Sequence, residues 1–131
     1  MEDLDIIHSR PGQGRLQHLT VELARTVRSL CIELWKKEGL ERSSISQMYR
    51  SALSVAANVR EAQFAESTRD FIHKLKIAEK ELAEFSYWLG VLHHPPQIIP
   101  SDQGTQLLDT TRQVGKLLAS IITSLKRKDS S

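Results

Sequence analysis

Four basic side chains with helical spacing are the residues of this sequence best suited to binding a ligand. They follow one another at intervals of four, three and four residues: Arg69, His73, Lys76 and Lys80. Because an α-helix turns once in about 3.6 residues, this spacing places all four on one helix face. Cationic groups in a line match the phosphates of a nucleic-acid backbone. The pattern predicts a phosphate-binding surface, which we call the basic stripe.

Other basic residues could extend the basic stripe from neighbouring segments. The net charge is only +2, from 18 basic and 16 acidic residues, so the chain as a whole attracts nucleic acid weakly. Any binding must therefore come from a local patch. For a single copy of the chain, an ordinary solvated helix face is the slightly favoured interpretation, and phosphate binding is favoured when an oligomer repeats the stripe. The residues that can add to the patch are Arg112 and Lys116, Arg25 and Arg28, and the terminal Lys126, Arg127 and Lys128.

A short polar motif precedes the basic stripe. Asn58 and Glu61 lie one helical turn apart, with Arg60 between them. An amide and a carboxylate at this spacing can satisfy each other, a neighbouring helix, or the loop before Ser67. Direct contact with a ligand is the alternative. The structural role is the favoured interpretation.

The remaining reactive side chains lack the partners that catalysis or metal binding requires. Di-iron bundles use Glu-x-x-His pairs, and no glutamate here precedes a histidine by three residues. Glu81 and Glu84 share a face, which indicates solvated or salt-bridged carboxylates. His93 and His94 are adjacent, so on a helix their side chains diverge by about 100°. Cys31 has no histidine at a spacing that indicates activation. We predict a protein that is not an enzyme and needs no metal or cofactor.

Composition indicates helices as the elements that position these residues. The chain has 131 residues, of which 40% are hydrophobic and only 5% aromatic, enough to bury the core of one domain. A single cysteine excludes an internal disulfide and favours a reducing compartment. The N-terminus is acidic, unlike a signal peptide, and no apolar run approaches the roughly 20 residues that span a bilayer. A cytoplasmic location with no membrane partner is predicted.

Apolar residues at intervals of three and four predict four amphipathic helices. The signals at their ends are Gly39 as a stop, Ser43 or Ser44 as a cap, a capping box from Ser67 to Asp70, a stop at His93-His94-Pro95-Pro96, and a start at Ser101 or Asp102. The predicted inward faces are Leu16, Leu19, Leu23, Val27, Leu30 and Leu34; Ile45, Met48, Ala52, Val55, Val59 and Ala62; Phe71, Leu75, Ala78, Leu82, Phe85, Leu89 and Leu92; and Leu107, Thr111, Val114, Leu118, Ile121 and Leu125.

Near-heptad spacing and short connections favour shallow crossing angles between antiparallel neighbours. The fold is therefore predicted to be all-α, a single up-down-up-down antiparallel four-helix bundle. Its expected organisation is a flexible N-terminal tail over 1–15, the bundle over 16–126, and a polar C-terminal tail over 127–131.

The apolar faces are wider than one bundle core requires, which predicts a second buried contact between copies of the chain. The flanking residues are Val21, Ala24, Cys31 and Trp35 on the first helix, and Leu108, Leu117 and Ile122 on the fourth.

The central third of the chain resembles a known family. Residues 54–62 read Ser-Val-Ala-Ala-Asn-Val-Arg-Glu-Ala, and Asp70-Phe71-Ile72, Glu81 and Tyr87-Trp88-Leu89 follow. Together they resemble the bacterial four-helix bundle proteins first noticed as reading frames within intervening sequences of 23S ribosomal RNA genes. The likeness extends from about Leu19 to Lys126. Many members have Pro-Ala-Asn-Ile-Ala-Glu-Gly where this chain has residues 56–62, so it looks closer to a subgroup with Asn-Ile-Arg-Glu-Ala.

The resemblance carries expectations about assembly and partners. The family is similar in fold to the accessory variability proteins of diversity-generating retroelements, which form pentameric rings and bind a reverse transcriptase and nucleic acid. It therefore implies a homo-oligomer, a pentamer, with RNA or DNA and a reverse transcriptase as partners. A ring would repeat the basic stripe in every subunit, so phosphate contacts would accumulate. The predicted function is a non-catalytic accessory protein associated with nucleic acid or with a reverse transcriptase. The alternative is a protein-interaction scaffold with no nucleic-acid role.

Overall fold

The computed structural model describes residues 12–37 and 39–130, with side chains as far as Lys128. It contains four helices: α1 (Gln13–Lys37), α2 (Arg42–Ala62), α3 (Thr68–His93) and α4 (Ser101–Ser130). Each helix packs on the next, and α4 closes the bundle against α1. The predicted all-α, up-down four-helix bundle is confirmed. Within these described ranges, no helix has the length and apolar character needed to cross a bilayer.

The core contains the predicted apolar faces, with one exception on α1, and also, in the described part of the chain, five apolar residues outside them: Cys31, Ala65, Ile72, Ile99 and Ile122. Every predicted inward residue of α2, α3 and α4 is buried. On α1, Thr20 is only 1% exposed, whereas Leu19 is half-buried. Leu19 was predicted to face inward, but position 20 takes that place. The buried positions of this part of α1 are 16, 20 and 23, so Leu19 lies at the edge of the core and packs against it. The Thr20 hydroxyl donates to the Leu16 carbonyl at 2.9 Å, which satisfies its hydrogen-bonding capacity inside the core.

The predicted start of α3 and the predicted stop at its end are both present. The Asp70 amide donates to the Ser67 hydroxyl at 3.1 Å, and the Asp70 carboxylate accepts from the Glu66 amide at 3.2 Å. The carboxylate thus reaches one residue further back than in an ordinary capping box. At its other end α3 stops at His93, two residues before Pro95.

The start of α2 differs from the prediction. The helix begins at Arg42, and the capping position is taken by Glu41, whose side chain makes no capping hydrogen bond. Ser43 and Ser44 therefore lie inside the first turn and do not cap the helix. The backbone hydrogen bond from the Ile45 amide to the Glu41 carbonyl, at 3.0 Å, closes that turn.

The observed helices extend beyond the predicted limits of the bundle at both ends. Residues 1–11 of the predicted N-terminal tail lie outside the described residues. Helix α1 begins at Gln13, before the predicted Leu16, because the buried Gln13 amide donates to the Gln63 side-chain carbonyl at 3.1 Å and ties α1 to the α2–α3 turn. Helix α4 continues through Ser130, so the predicted polar segment after Lys126 is helical in the described part of the chain.

The alternating helix directions give the bundle two distinct ends. The Trp35 end carries the last turns of α1 and α3 and the first turns of α2 and α4. The Lys126 end carries the start of α1, the α2–α3 turn, the start of α3 and the last turns of α4. Residues far apart in the sequence therefore meet at each end.

A buried glycine lets α3 and α4 approach closely at the Trp35 end. A Cβ atom added to Gly104 would lie 2.6 Å from Cδ2 and Nε2 of the His93 ring, well inside van der Waals contact. Gly90, by contrast, is an exposed glycine inside α3, and a Cβ atom there would meet open space. The two glycines therefore differ in what they do for the fold.

Replacing each glycine by alanine should have opposite effects. Gly90→Ala should raise the free energy of unfolding by about 0.5–1 kcal/mol, because alanine loses less backbone entropy in a helix. Gly104→Ala should lower it, because the His93 ring must move. Thermal and urea unfolding monitored by circular dichroism measures both. Equal shifts for the two variants would contradict the close packing at Gly104.

Candidate nucleic-acid interface

The basic stripe lies on the outer face of α3. Its four residues are all exposed, and together they occupy the first half of the helix. Eleven residues separate the first from the last, which corresponds to about 16 Å of helix axis. They are exposed because the opposite face of α3 is committed to the core through Phe71, Leu75 and Ala78. Core packing thus aims the stripe at solvent.

Helix α4 adds a cation to the basic stripe. The neighbouring Lys76 lowers the pKa of Lys126, first through direct side-chain contact and then through charge repulsion, and Glu79 acts weakly in the opposite direction. Because α3 and α4 pack against each other, Lys126 lies in the neighbourhood of Lys76 across the α3–α4 seam. Lys126 is followed by the exposed Arg127 and Lys128. The antiparallel register of α3 and α4 produces this contact, and spacing within one segment does not reveal it.

The other two predicted α4 residues lie further from the Lys126 end. Lys116 and Arg112 precede Lys126 by ten and fourteen residues, or about 15 and 21 Å of helix axis. Both are exposed, and Arg112 lies 4.0 Å from the Asp109 carboxylate in an ion pair on its own helix. The structure gives no contact of either residue with the basic stripe, so their role in binding stays a prediction.

The three residues of the polar motif have separate local partners. The Asn58 amide donates to the Ser54 carbonyl at 2.9 Å, within α2. Glu61 instead forms an ion pair across to α3, where Lys74 lies 3.7 Å away. The Arg60 guanidinium lies over the Phe64 ring, 5.1 Å from its centroid. Asn58 and Glu61 therefore do not satisfy each other, and the contact of Glu61 with a neighbouring helix is the alternative that is observed.

Ion pairs account for the two carboxylates on the outer edge of α3. Arg50 of α2 binds Glu81 at 3.1 Å and also binds Glu84. These contacts raise the pKa of Arg50, with the hydrogen bond to Glu84 as the largest cause. Glu81 and Glu84 are therefore salt-bridged, one of the two interpretations of their spacing. Within residues 12–37 and 39–130 no group of three or more His, Cys, Asp or Glu side chains is arranged to hold a metal ion.

Cys31 has the environment of a structural thiol. It is buried in the core, and its Sγ atom lies 3.9 Å from the Ile45 carbonyl oxygen. Burial raises the pKa of the Cys31 thiol to about 12, so almost none of it is thiolate near neutral pH. This environment disfavours the nucleophile that catalysis by cysteine needs.

The apolar residues predicted to flank the core fall into three groups. Cys31 and Ile122 belong to the core, while Ala24, Leu108 and Leu117 are half-buried. Val21 and Trp35 remain exposed, Trp35 to 43%. On α1, Val21 and Trp35 therefore extend the apolar face into solvent, whereas Cys31 is part of the core.

The exposed Trp35 ring lies beside an apolar groove between α1 and α2. The groove has a volume of about 430 Å³ and is lined by Ile32, Trp35 and Tyr49, with Cys31 and Ile45 beneath them. On α3, Tyr87 and Val91 are also exposed near the same end of the bundle. Exposed apolar surface thus gathers towards the Trp35 end, opposite the Lys126 contact.

Phe64 is not among the functional residues predicted from the sequence, because it belongs to no apolar stripe. Its ring is 71% exposed in the turn between α2 and α3, at the Lys126 end. The signal available was an aromatic residue out of register with both neighbouring helices. The surface at this end therefore consists of cations on two helices and one exposed aromatic ring.

Comparison with known proteins places most of the bundle in one family. The model of the 23S rRNA-intervening sequence protein family matches residues 15–120. A crystal structure of a protein of unknown function from the S23 ribosomal protein family of Bacteroides thetaiotaomicron is 34% identical, with a TM-score of 0.77 over 85% of this chain and 97% of that one. No match was found among curated proteins. The chain belongs to the 23S rRNA-intervening sequence protein family.

Proposed function

We propose that this protein is the subunit of a homo-oligomer that binds RNA or DNA through the phosphate backbone. The observation that carries the proposal is the exposed basic stripe of α3 and its continuation onto α4 through Lys126. A rigid helix holds these cations in a line, as contact with successive phosphates requires. Such contacts carry little sequence information, so binding is expected to have weak sequence preference.

The contact between Lys76 and Lys126 supports the proposal electrostatically. The pKa of Lys126 is lowered first by the side-chain hydrogen bond with Lys76 and then by the repulsion between two like charges. A phosphate placed between them would replace repulsion by two attractive contacts. The bound anion would then bring the pKa of Lys126 back towards its ordinary value. The site therefore favours an anionic ligand.

Cations at both ends of the bundle have local partners. At the Trp35 end Lys36 lies 3.5 Å from the Glu33 carboxylate, and the Arg42 guanidinium lies 5.5 Å from the centroid of the Trp35 ring. The two ends differ in the arrangement of their cations, because the basic stripe places exposed cations in a line along α3. This line suits the successive phosphates of a polyanion.

Assembly would strengthen binding at this site. Val21, Ile32 and Trp35 of α1 and Tyr87 and Val91 of α3 are exposed apolar residues, suited to contact between copies of the chain. The family's likeness in fold to the accessory variability proteins, expected from the sequence, would make the oligomer a pentameric ring and add a reverse transcriptase as a protein partner. Five subunits would present five basic stripes to one nucleic acid, and phosphate contacts add.

A protein-interaction scaffold is the second candidate function. The apolar groove beside Trp35 favours it, because a groove of about 430 Å³ lined by tryptophan, isoleucine and tyrosine suits an apolar side chain of a protein partner. This candidate predicts no dependence on the basic stripe. The two functions therefore differ in one experiment.

Reversing the charge of the basic stripe should abolish binding. The variant Arg69→Glu, Lys76→Glu, Lys80→Glu alters only exposed side chains, so the bundle should stay folded. Its affinity for mixed-sequence RNA at low salt should fall at least about tenfold, and the parent's log–log salt slope should correspond to about 0.7–0.9 for each phosphate neutralised. Fluorescence anisotropy at several salt concentrations measures both quantities.

A matched control carries the same change of charge elsewhere. In Lys36→Glu, Lys37→Glu, Arg42→Glu, three exposed cations at the Trp35 end are reversed, and RNA affinity should stay within a few-fold of the parent. If the control loses as much affinity as the stripe variant, binding reflects overall charge. If the stripe variant stays folded and binds as tightly as the parent, the scaffold function takes precedence.

The proposed assembly is tested by its mass in solution. Light scattering coupled to size exclusion should give several times the chain mass of 14.9 kDa, and five times that mass for the pentamer. Burial of exposed apolar side chains drives the association, so the mass should persist at high salt. A mass of one chain at micromolar concentration would contradict the assembly.

A further inference from the structure

The exposed Phe64 ring lies next to the start of the basic stripe. Phe64 is in the turn between α2 and α3, and Arg69 follows five residues later in the first turn of α3. The ring is 71% exposed, although a phenylalanine usually buries most of its surface. Its position places an aromatic face where the predicted path of phosphates begins.

The turn holds Phe64 in a fixed position. The amides of Gln63, Phe64 and Ala65 donate to the carbonyls of Arg60, Glu61 and Ala62 at 3.0–3.1 Å. Ala65 is buried in the core, and the Ser67–Asp70 capping contacts close the other side of the turn. With the next residue anchored inward, the Phe64 side chain is directed outward. The ring is therefore pre-organised for contact.

One face of the Phe64 ring already carries a cation. The Arg60 guanidinium lies 5.1 Å from the ring centroid in a cation–π arrangement. The high exposure of the ring leaves surface for a second planar group. An arginine-backed aromatic ring with an open face is a typical platform for a nucleobase.

Nearby carboxylates do not close this platform to a polyanion. Glu61 is paired with Lys74 at 3.7 Å, and the Asp70 carboxylate accepts the Glu66 amide at 3.2 Å. Glu66 itself is exposed, but the opposing cations at this end include Arg60 and Arg69 as well as the Lys76–Lys126 contact. Beside the ring Arg60 and Arg69 offset Glu66 and Asp70, and the excess positive charge is supplied further along the basic stripe by Lys76 and Lys80.

We propose that Phe64, backed by Arg60, stacks on an unpaired base of a nucleic acid whose phosphates follow the basic stripe. This inference rests on the proposed function and adds its substrate class: single-stranded or looped RNA or DNA in preference to a duplex. A duplex keeps its bases stacked inside, so it cannot use the ring. The ring adds affinity for single strands only.

The experiment compares single-stranded and duplex ligands for the parent, Phe64→Ala and Phe64→Trp. Anisotropy at low salt uses a labelled mixed-sequence RNA of about 15 nucleotides and the duplex of the same length. Phe64→Ala should weaken single-strand binding about 5- to 100-fold and leave duplex binding within about twofold. Phe64→Trp should keep the parent's preference. Leu40→Ala is the matched control, since Leu40 is a 97% exposed apolar residue at the opposite end of the bundle.

Each other outcome overturns the inference. Base stacking is excluded if Phe64→Ala binds single strands as tightly as the parent, or if it loses equal affinity for both ligands. The proposed function is tested separately, by the charge-reversed variant of the basic stripe. A changed oligomer mass for Phe64→Ala in light scattering makes the ring a contact with a protein surface. If the parent binds neither RNA, the proposed function fails and this inference fails with it.

Discussion

The close approach of α2 to α3 is the constraint on which the other features of the molecule depend. The inward face of α2 includes the small residues Ala52 and Ala62, and α3 packs Phe71 and Phe85 fully into the core. Small side chains on one helix leave room for large ones on the other, as dense packing requires. Ion pairs from Arg50 to Glu81 and from Lys74 to Glu61 then bridge the outer edge of the seam. Exposed pairs of this kind contribute about 0–1 kcal/mol each, so packing dominates.

This arrangement determines which residues are left for function. With its apolar face buried, α3 presents the basic stripe to solvent, and the antiparallel return of α4 brings Lys126 to Lys76. At the opposite end, Trp35 and Tyr49 line an apolar groove between α1 and α2. The Trp35 end therefore carries more of the exposed apolar residues, and the Lys126 end carries the basic stripe beside the exposed Phe64 ring. We infer that one end suits a polyanion and the other suits protein contact.

Local sequence patterns predicted the helices and most of the core, because periodicity and capping act within a few residues. The capping contacts of Ser67 and Asp70 and the stop before Pro95 follow from such short-range rules. Thr20 shows a limit, since register outweighs side-chain hydrophobicity when the hydroxyl can bond to its own helix. At the start of α2, backbone geometry at Glu41 replaced the expected serine cap.

The site was predictable only in part, because its remaining features depend on pairs of helices. The exposure of the basic stripe follows from the spacing within α3. The contact of Lys126 with Lys76 depends on the register between α3 and α4. The outward direction of Phe64 depends on Ala65 being buried in the core beside it. Neither the position of Lys126 beside Lys76 nor the direction of the Phe64 side chain can be predicted from the sequence pattern of one helix.

Lysine reactivity measured with and without bound RNA shows whether the nucleic acid lies along the basic stripe and Lys126. Acetylation of the oligomer at low salt, quantified residue by residue by mass spectrometry, reports which ammonium groups the RNA covers. We expect RNA to protect Lys76, Lys80 and Lys126 from acetylation, and we expect Lys36 and Lys37 at the Trp35 end to react as in the free protein. Protection centred on Lys36 and Lys37, or spread evenly over all lysines, would contradict this expectation.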